Sequence, residues 1–425
     1  MKSFYHSLLQ LAPGTIIAQL IGLIFLPLMS AWYTPEEFGQ FQIFQVMIGF
    51  ISVIITLQYS TALLQAKESE EYNALLALCW LICIAISSLV AFSTSIAFFF
   101  GVISTKLWFF IYLLPLGALV GGAIQIAQSV QLRHQSFYIM SASRVVQASS
   151  LVGFAFAFAR SGIGSPGLIL SDVISKIFSI VTWLRMNACN STPGKFHLVS
   201  GKVLWRTAFS FRDCPFVTSV GGIINTAGAS ATGALMYAAF GASDAGQFGL
   251  VERSLTLPVG IIANTLSQIF TSKLSNDLRL AKIEILPYFR RFVGTCFLFA
   301  LIPSMLLFFL STFLFESFFG ANWRIAGEYA QILCPLLLIQ FATAPLHMSL
   351  LLLGKRSTQF LWELSRLLLM IVGWSTIYQG GFSSHIAVSF HVGAHIAMNL
   401  AFLFVVDRSI QFVDRSNAIA SATNS

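Results

Sequence analysis

The chain has 425 residues, of which 56% are hydrophobic and only 9% charged. Soluble domains carry about a quarter charged residues, so this balance, with a mean hydropathy of +0.80, excludes an ordinary soluble protein and points to a membrane. The net charge of +8 is scattered over many short polar segments rather than gathered in a stripe or tail, which argues against a nucleic-acid partner.

A helix needs about twenty mainly apolar residues to cross a bilayer. Such runs recur at 8–32, 39–64, 74–101, 107–131, 139–160 and 163–184, then at 214–240, 246–271, 291–316, 329–353, 357–379 and 384–406. The expectation is an all-α polytopic membrane protein with about twelve transmembrane helices and both termini on one side. Lys2 and His6 lead into an apolar stretch too long for a signal-peptide core, so the first span reads as its own uncleaved targeting signal. Phenylalanine supplies 41 residues, and eight tryptophans sit near the ends of apolar runs, where interfacial belts form. Cys79, Cys83, Cys189, Cys214, Cys296 and Cys334 have no zinc spacing and read as reduced, small apolar fillers.

Lysine and arginine fix the orientation. With the amino terminus in the cytoplasm, seventeen basic residues, from Lys2 and Lys67 through Lys282 to Arg408 and Arg415, fall in cytoplasmic segments. Only Lys106, Arg160 and Arg324 fall opposite. Such an imbalance predicts that both termini are cytoplasmic. The longest polar connection, Arg185–Asp213, begins with Asn190, Ser191, Thr192, Pro193 and Gly194, a linker composition. Its second part mixes Val203, Leu204, Trp205 and Phe209 with Lys202, Arg206 and Arg212, as an interfacial helix on an anionic leaflet does. The organisation read from this is an amino-terminal six-helix bundle at 1–190, a linker with interfacial helix at 191–213, a carboxy-terminal six-helix bundle at 214–410 and a cytoplasmic tail at 411–425.

The halves look like repeats. Tyr33–Phe44 and Phe240–Val251 both place an acidic turn before a Gly-Gln-Phe that opens a helix, Gly39-Gln40-Phe41 in one and Gly246-Gln247-Phe248 in the other. Pro115 and Pro335 share a place in spans four and ten, and Ser143-Arg144 matches Ser365-Arg366 in spans five and eleven. The equal helix direction implies a parallel repeat about an axis along the membrane normal.

Charges inside spans cost at least a few kcal/mol, so they are functional candidates. They are Arg144 in span five, Asp172 and Lys176 in span six, Glu252 and Arg253 in span eight, and Glu363 and Arg366 in span eleven. Asp172 with Lys176 and Glu363 with Arg366 have the spacing to neutralise one another along one helix, and Arg144 could snorkel. Yet cations outnumber acids and come from both halves. Arg144, Lys176, Arg253 and Arg366 are therefore substrate-binding candidates for an anionic cargo, because guanidinium groups hold phosphate oxygens bidentately. Asp172, Glu252 and Glu363 are the candidates for ion coupling. His391 and His395 are four apart, a metal-ligand spacing, but with no acid or thiol ligand beside them they read as hydrogen-bonded core histidines, and no metal site is expected. No phosphate-binding GxxxxGK[ST] loop and no metal-spaced acid cluster occurs, so no catalytic residue, no cofactor and no enzyme activity is expected.

Several short segments resemble one family. They are Trp32-Tyr-Thr-Pro-Glu-Glu-Phe-Gly39, Phe211-Arg-Asp-Cys-Pro-Phe216, Gly241-Ala-Ser-Asp-Ala-Gly-Gln-Phe248 followed by Arg253 and Pro258, Phe319-Gly-Ala-Asn-Trp323, and Leu353-Gly-Lys-Arg356. The ordered set resembles the O-antigen and polysaccharide flippases of the Wzx type, within the multidrug, oligosaccharidyl-lipid and polysaccharide exporter superfamily. The resemblance implies a MATE-like fold of two pseudo-symmetric six-helix bundles. It implies a cargo of undecaprenyl-pyrophosphate-linked oligosaccharide moved to the periplasmic leaflet for lipopolysaccharide or other surface-polysaccharide synthesis, with membrane lipids, a polysaccharide polymerase and glycosyltransferases as partners. Relatives often carry Arg-Tyr-Glu near the end of span two, where this chain has Gln58-Tyr59-Ser60, so a role of that charged pair does not carry over. The competing readings are a multidrug or small-cation antiporter, which should have a net acidic interior, and a non-transporting assembly partner of glycosyltransferases.

Overall fold

A computed structural model describes residues 2–64, 66, 68–101, 109–134, 136–190, 200–212, 214–215, 219–279 and 285–423. Linker residues 191–199, Asp213, Lys67, Lys106 and Lys282 lie outside the described residues. All regular structure among the described residues is helical. In chain order the helices are α1 (Lys2–Trp32), α2 (Pro35–Ile54), α3 (Tyr59–Ala62), α4 (Ser69–Phe99), α5 (Phe110–Arg133), α6 (Phe137–Arg160) and α7 (Ser165–Asn190). They continue with α8 (Gly201–Ser210), α9 (Ser219–Arg279), α10 (Ile285–Phe319), α11 (Arg324–Thr343), α12 (Ser349–Leu352), α13 (Arg356–Gln379) and α14 (Ser384–Thr423).

Nine helices among the described residues are long and apolar enough to cross a membrane, and α1 holds a shorter apolar segment, Ile16–Trp32. The seventh and eighth spans read from the sequence fall on the two arms of α9, neither of which is among those nine. Those arms meet at Gly241, whose φ of +86° breaks the helix. A side chain there would clash with its own backbone, so the Phe240-Gly-Ala-Ser-Asp turn depends on glycine. One span ends short of expectation and another is interrupted. The second stops at Ile54, because Leu57 and Gln58 take left-handed φ values of 45° and 58° before α3 begins. The tenth runs to Leu352 as read, but its helix is interrupted after Thr343, where Pro345 enters a 3-10 turn, Ala344–Leu346, ahead of α12; proline has no N–H to continue an α-helical ladder.

The outer faces suit lipid rather than water. On α10, Leu298, Ile302, Phe309 and Phe313 are all exposed, with Ile302 at 76%, a pattern that water would penalise and acyl chains do not. The interfacial helix expected near 196–212 is α8, and it turns Lys202, Trp205, Arg206 and Phe209 outward.

By their internal packing the residues divide into two units, Met1–Ala234 and Leu235–Ser425. In the first, α5 comes close to its neighbours through small residues: a Cβ on Gly122 would lie 2.4 Å from Cys83 Sγ, and one on Gly117 would lie 2.8 Å from the Phe44 ring. The first arm of α9 packs here too, with Gly222 against Val53. In the second unit, Phe270, Phe289, Trp362 and Phe402 anchor an aromatic and aliphatic core. Cys79, Cys83, Cys296 and Cys334 are buried free thiols, and Cys214 is half-buried.

The repeated turn motifs tie helices together. Thr34 and Glu37 form a reciprocal capping box at the start of α2. Behind it, Gln40 accepts from the Ser165 hydroxyl. Its counterpart Gln247 donates to Asn322 O at 2.7 Å and accepts from Ala326 N at 3.0 Å, while Asp244 accepts from the Tyr329 hydroxyl. The Gly-Gln-Phe sequence is thus an anchor: its glutamine latches a neighbouring helix start, and its phenylalanine, Phe41 or Phe248, is buried.

Candidate functional site

The first unit holds three of the seven intramembrane charges. On α7, Lys176 Nζ donates to Asp172 Oδ2 at 2.6 Å, with side chains 13% and 9% exposed. The i,i+4 spacing read from sequence therefore forms a buried ion pair. Ser171 and Ser175, fully buried beside it, return their hydroxyls to Gly167 O and Asp172 O. Arg144 on α6 is half-buried on the rim of a recess between α5, α6 and α7, among Gln128, Gln131, Gln147 and Trp183.

The second unit holds the other four. Glu252 on α9 lines a cavity of about 100 Å³ together with Gln340 on α11, His391 on α14 and the apolar side chains of Phe248, Leu333 and Leu336. His391 lies against His395 with ring centroids 4.4 Å apart, and Phe248 meets His391 edge-on at 5.9 Å. Both histidines are 8% exposed, and His395 Nε2 has no hydrogen-bond partner among the described residues. On α13 the Arg366 guanidinium stacks over the Trp362 ring at 5.0 Å. Its buried Nε has no hydrogen-bond partner among the described residues. Glu363 accepts from Gln359 Nε2 at 2.9 Å, and among the described residues no ion pair joins it to Arg366. The self-neutralised pair that the i,i+3 spacing permits is not formed. Arg253 is half-buried beside Glu252 on α9. An apolar cavity of about 330 Å³ adjoins between α9, α10 and α11, where Pro258 and Pro303 line it.

The structure therefore brings Asp172 to Lys176, and Glu252 to His391, while leaving Glu363 and Arg366 with different partners. Sequence reasoning missed the glutamines Gln128, Gln131, Gln147 and Gln340. Each was visible as an amide inside an apolar run, which is costly unless it is hydrogen-bonded. Among the described residues no group of three or more His, Cys, Asp or Glu side chains is placed to hold a metal ion.

A family model described as a polysaccharide biosynthesis protein matches residues 15–327. The chain belongs to the polysaccharide biosynthesis protein family. No curated protein matches its sequence. Among solved structures, it is similar to an inward-facing multidrug-resistance MATE family transporter of the MOP superfamily, at 12% identity and a TM-score of 0.73, with 94% of this chain and 96% of that one covered. It is similar to the lipid II flippase MurJ in its inward closed conformation, at 17% identity and a TM-score of 0.70, covering 96% and 90%. It is also similar to a MOP superfamily transporter from Pyrococcus furiosus, described as having a binding pocket of reversed polarity, at 12% identity and a TM-score of 0.61, covering 96% of each. At these identities the likeness is one of fold, and the fold is the MATE-like pair of six-helix bundles. The membership read from the short motifs is borne out.

Proposed function

We propose that this member of the polysaccharide biosynthesis protein family is a flippase rather than an enzyme. It moves undecaprenyl-pyrophosphate-linked oligosaccharide units from the cytoplasmic to the periplasmic leaflet of the bacterial inner membrane, for O-antigen or another surface polysaccharide. The observation that carries the reading is a family tied to polysaccharide synthesis whose membrane helices hold half-buried cations. A pyrophosphate leaving water needs cationic hydrogen-bond donors, each worth about 1.5–3 kcal/mol. Arg366 suits that role: its guanidinium lies over the Trp362 ring, among the described residues no carboxylate forms an ion pair with it, and its buried Nε has a donor to give. Arg144, Lys176 and Arg253 are assigned to the same anionic cargo, and Asp172, Glu252 and Glu363 to a coupling ion.

The topology proposed with it keeps both termini cytoplasmic, with halves at 1–190 and 214–410 joined by the 191–213 linker and followed by the 411–425 tail. A drug or small-cation antiporter fits less well, since four cations stand against three acids within the spans. Depleting the chain from its host tests the reading. Surface polysaccharide should fall while lipid-linked oligosaccharide accumulates; unchanged polysaccharide with no accumulation would refute it.

A further inference from the structure

The recess in the first unit gathers polar side chains that make no hydrogen bonds to one another among the described residues. Gln128 and Gln131 are three apart on α5, Ser143 and Gln147 four apart on α6, and Ser179 and Trp183 four apart on α7. Each pair therefore shares a face of its helix, and all six line the one recess with Arg144. Ser143 is 5% exposed, and its buried Oγ has no hydrogen-bond partner among the described residues. Gln128, Gln131, Gln147, Ser179 and the Trp183 indole likewise make no side-chain hydrogen bond among the described residues.

Several glutamines elsewhere are paired, although Gln125 on α5 and Gln359 on α13 each leave a buried Oε1 without a hydrogen-bond partner among the described residues. Gln247 makes two hydrogen bonds, Gln359 one to Glu363, and Gln58 one to Val53 O. Buried polar groups are normally paired. Apart from the Ser143 hydroxyl, these groups reach the open side of the recess rather than being sealed within it. The recess itself is small, about 10 Å³, room for roughly one water with two to four hydrogen bonds. Three amides, two hydroxyls and an indole offer far more. Their capacity is directed at whatever lies across the mouth of the recess.

We propose that this recess is a saccharide-binding subsite for the head group of the cargo, with Arg144 on its rim for the adjoining phosphate. The proposal rests on the lipid-linked cargo reading given above. Sugar hydroxyls both donate and accept, which matches primary amides and serine hydroxyls. The C–H face of a pyranose is apolar and edge-positive, which matches the face of an indole. Position agrees as well. Gln131 lies two residues before Arg133, and Trp183 two before Arg185, basic residues that the proposed topology puts at the cytoplasmic surface. A cargo assembled in the cytoplasm would meet this end first.

The test compares two probes on the purified full-length chain in lipid nanodiscs: undecaprenyl pyrophosphate, and the same lipid bearing one N-acetylglucosamine. The sugar-bearing probe should bind the parent chain at least about tenfold more tightly, an increment of several hydrogen bonds. Gln128→Met and Gln147→Met keep side-chain volume but remove the amide, and each should cut that advantage by roughly two- to tenfold. Trp183→Ala should cut it also. Affinity for the bare lipid should stay at the parent's value, which also certifies that each variant is folded. Equal binding of the two probes by the parent chain would overturn the subsite, as would variants that weaken both probes alike. Failure of both probes to bind would instead bring down the lipid-linked cargo reading, and the subsite with it.

Discussion

Replacing Asp172 with asparagine should be far more damaging than replacing both members of its ion pair. Lys176 Nζ sits 2.6 Å from the Asp172 carboxylate, and both side chains are nearly sealed from the surface. Removing the carboxylate leaves an ammonium with no counter-charge in a low-dielectric bundle, a loss of about 3–5 kcal/mol when one partner of a buried pair is deleted. Changing both residues, Asp172→Asn with Lys176→Met, removes the isolated charge while roughly keeping the volume. That double variant should return to within about 1 kcal/mol of the parent. Reversible unfolding in bicelles, followed by tryptophan fluorescence, reads the difference. Transport separates structure from function: if Lys176 serves the anionic cargo, the stable double variant should still fail to restore surface polysaccharide. Equal destabilisation of the single and double variants would refute the reasoning about the pair, and full transport by the double would remove Lys176 from the cargo path.

Arg366→Ala should abolish surface polysaccharide while the protein still accumulates in the membrane, and Arg366→Lys should restore it only in part, because an ammonium lacks the bidentate fork. Since Glu363 pairs with Gln359 rather than with Arg366, adding Glu363→Gln to Arg366→Gln should not rescue activity; rescue would mean the two charges only neutralise each other. Gly327→Ala should destabilise by about 1–3 kcal/mol in the same unfolding assay, because its Cβ would lie 2.6 Å from Thr312 Cα. Gly121→Ala, with nothing within 4 Å, should lie within about 0.5 kcal/mol of the parent.

Much of the fold was legible because a bilayer imposes length and polarity directly. The apolar runs mark the spans, and the Gly241-Ala-Ser-Asp turn marks the break inside α9. Leu57 and Gln58 gave no such signal, since a left-handed backbone at ordinary residues is set by packing rather than composition. At the site, i,i+4 spacing brought Asp172 to Lys176, but i,i+3 spacing did not bring Glu363 to Arg366. Gln359, one turn earlier, takes the carboxylate, while the Trp362 face holds the guanidinium. The recess of Gln128, Gln131, Gln147 and Trp183 was invisible for a different reason. Its meaning depends on three helix faces meeting, and nothing in local periodicity says which faces meet.

The central claim is that this chain carries lipid-linked oligosaccharide across a bilayer. Purified protein should be reconstituted into liposomes loaded symmetrically with a fluorescent undecaprenyl-pyrophosphate-linked oligosaccharide, with an imposed proton or sodium gradient. A membrane-impermeant quencher added outside reads the leaflet of the sugar. The account predicts that the fraction of quenchable sugar shifts from its symmetric value only when the chain is present, and that Arg366→Ala eliminates the shift. It predicts that Glu252→Gln or Glu363→Gln removes the dependence on the gradient. A leaflet distribution identical with and without the folded chain, under either gradient, would contradict it.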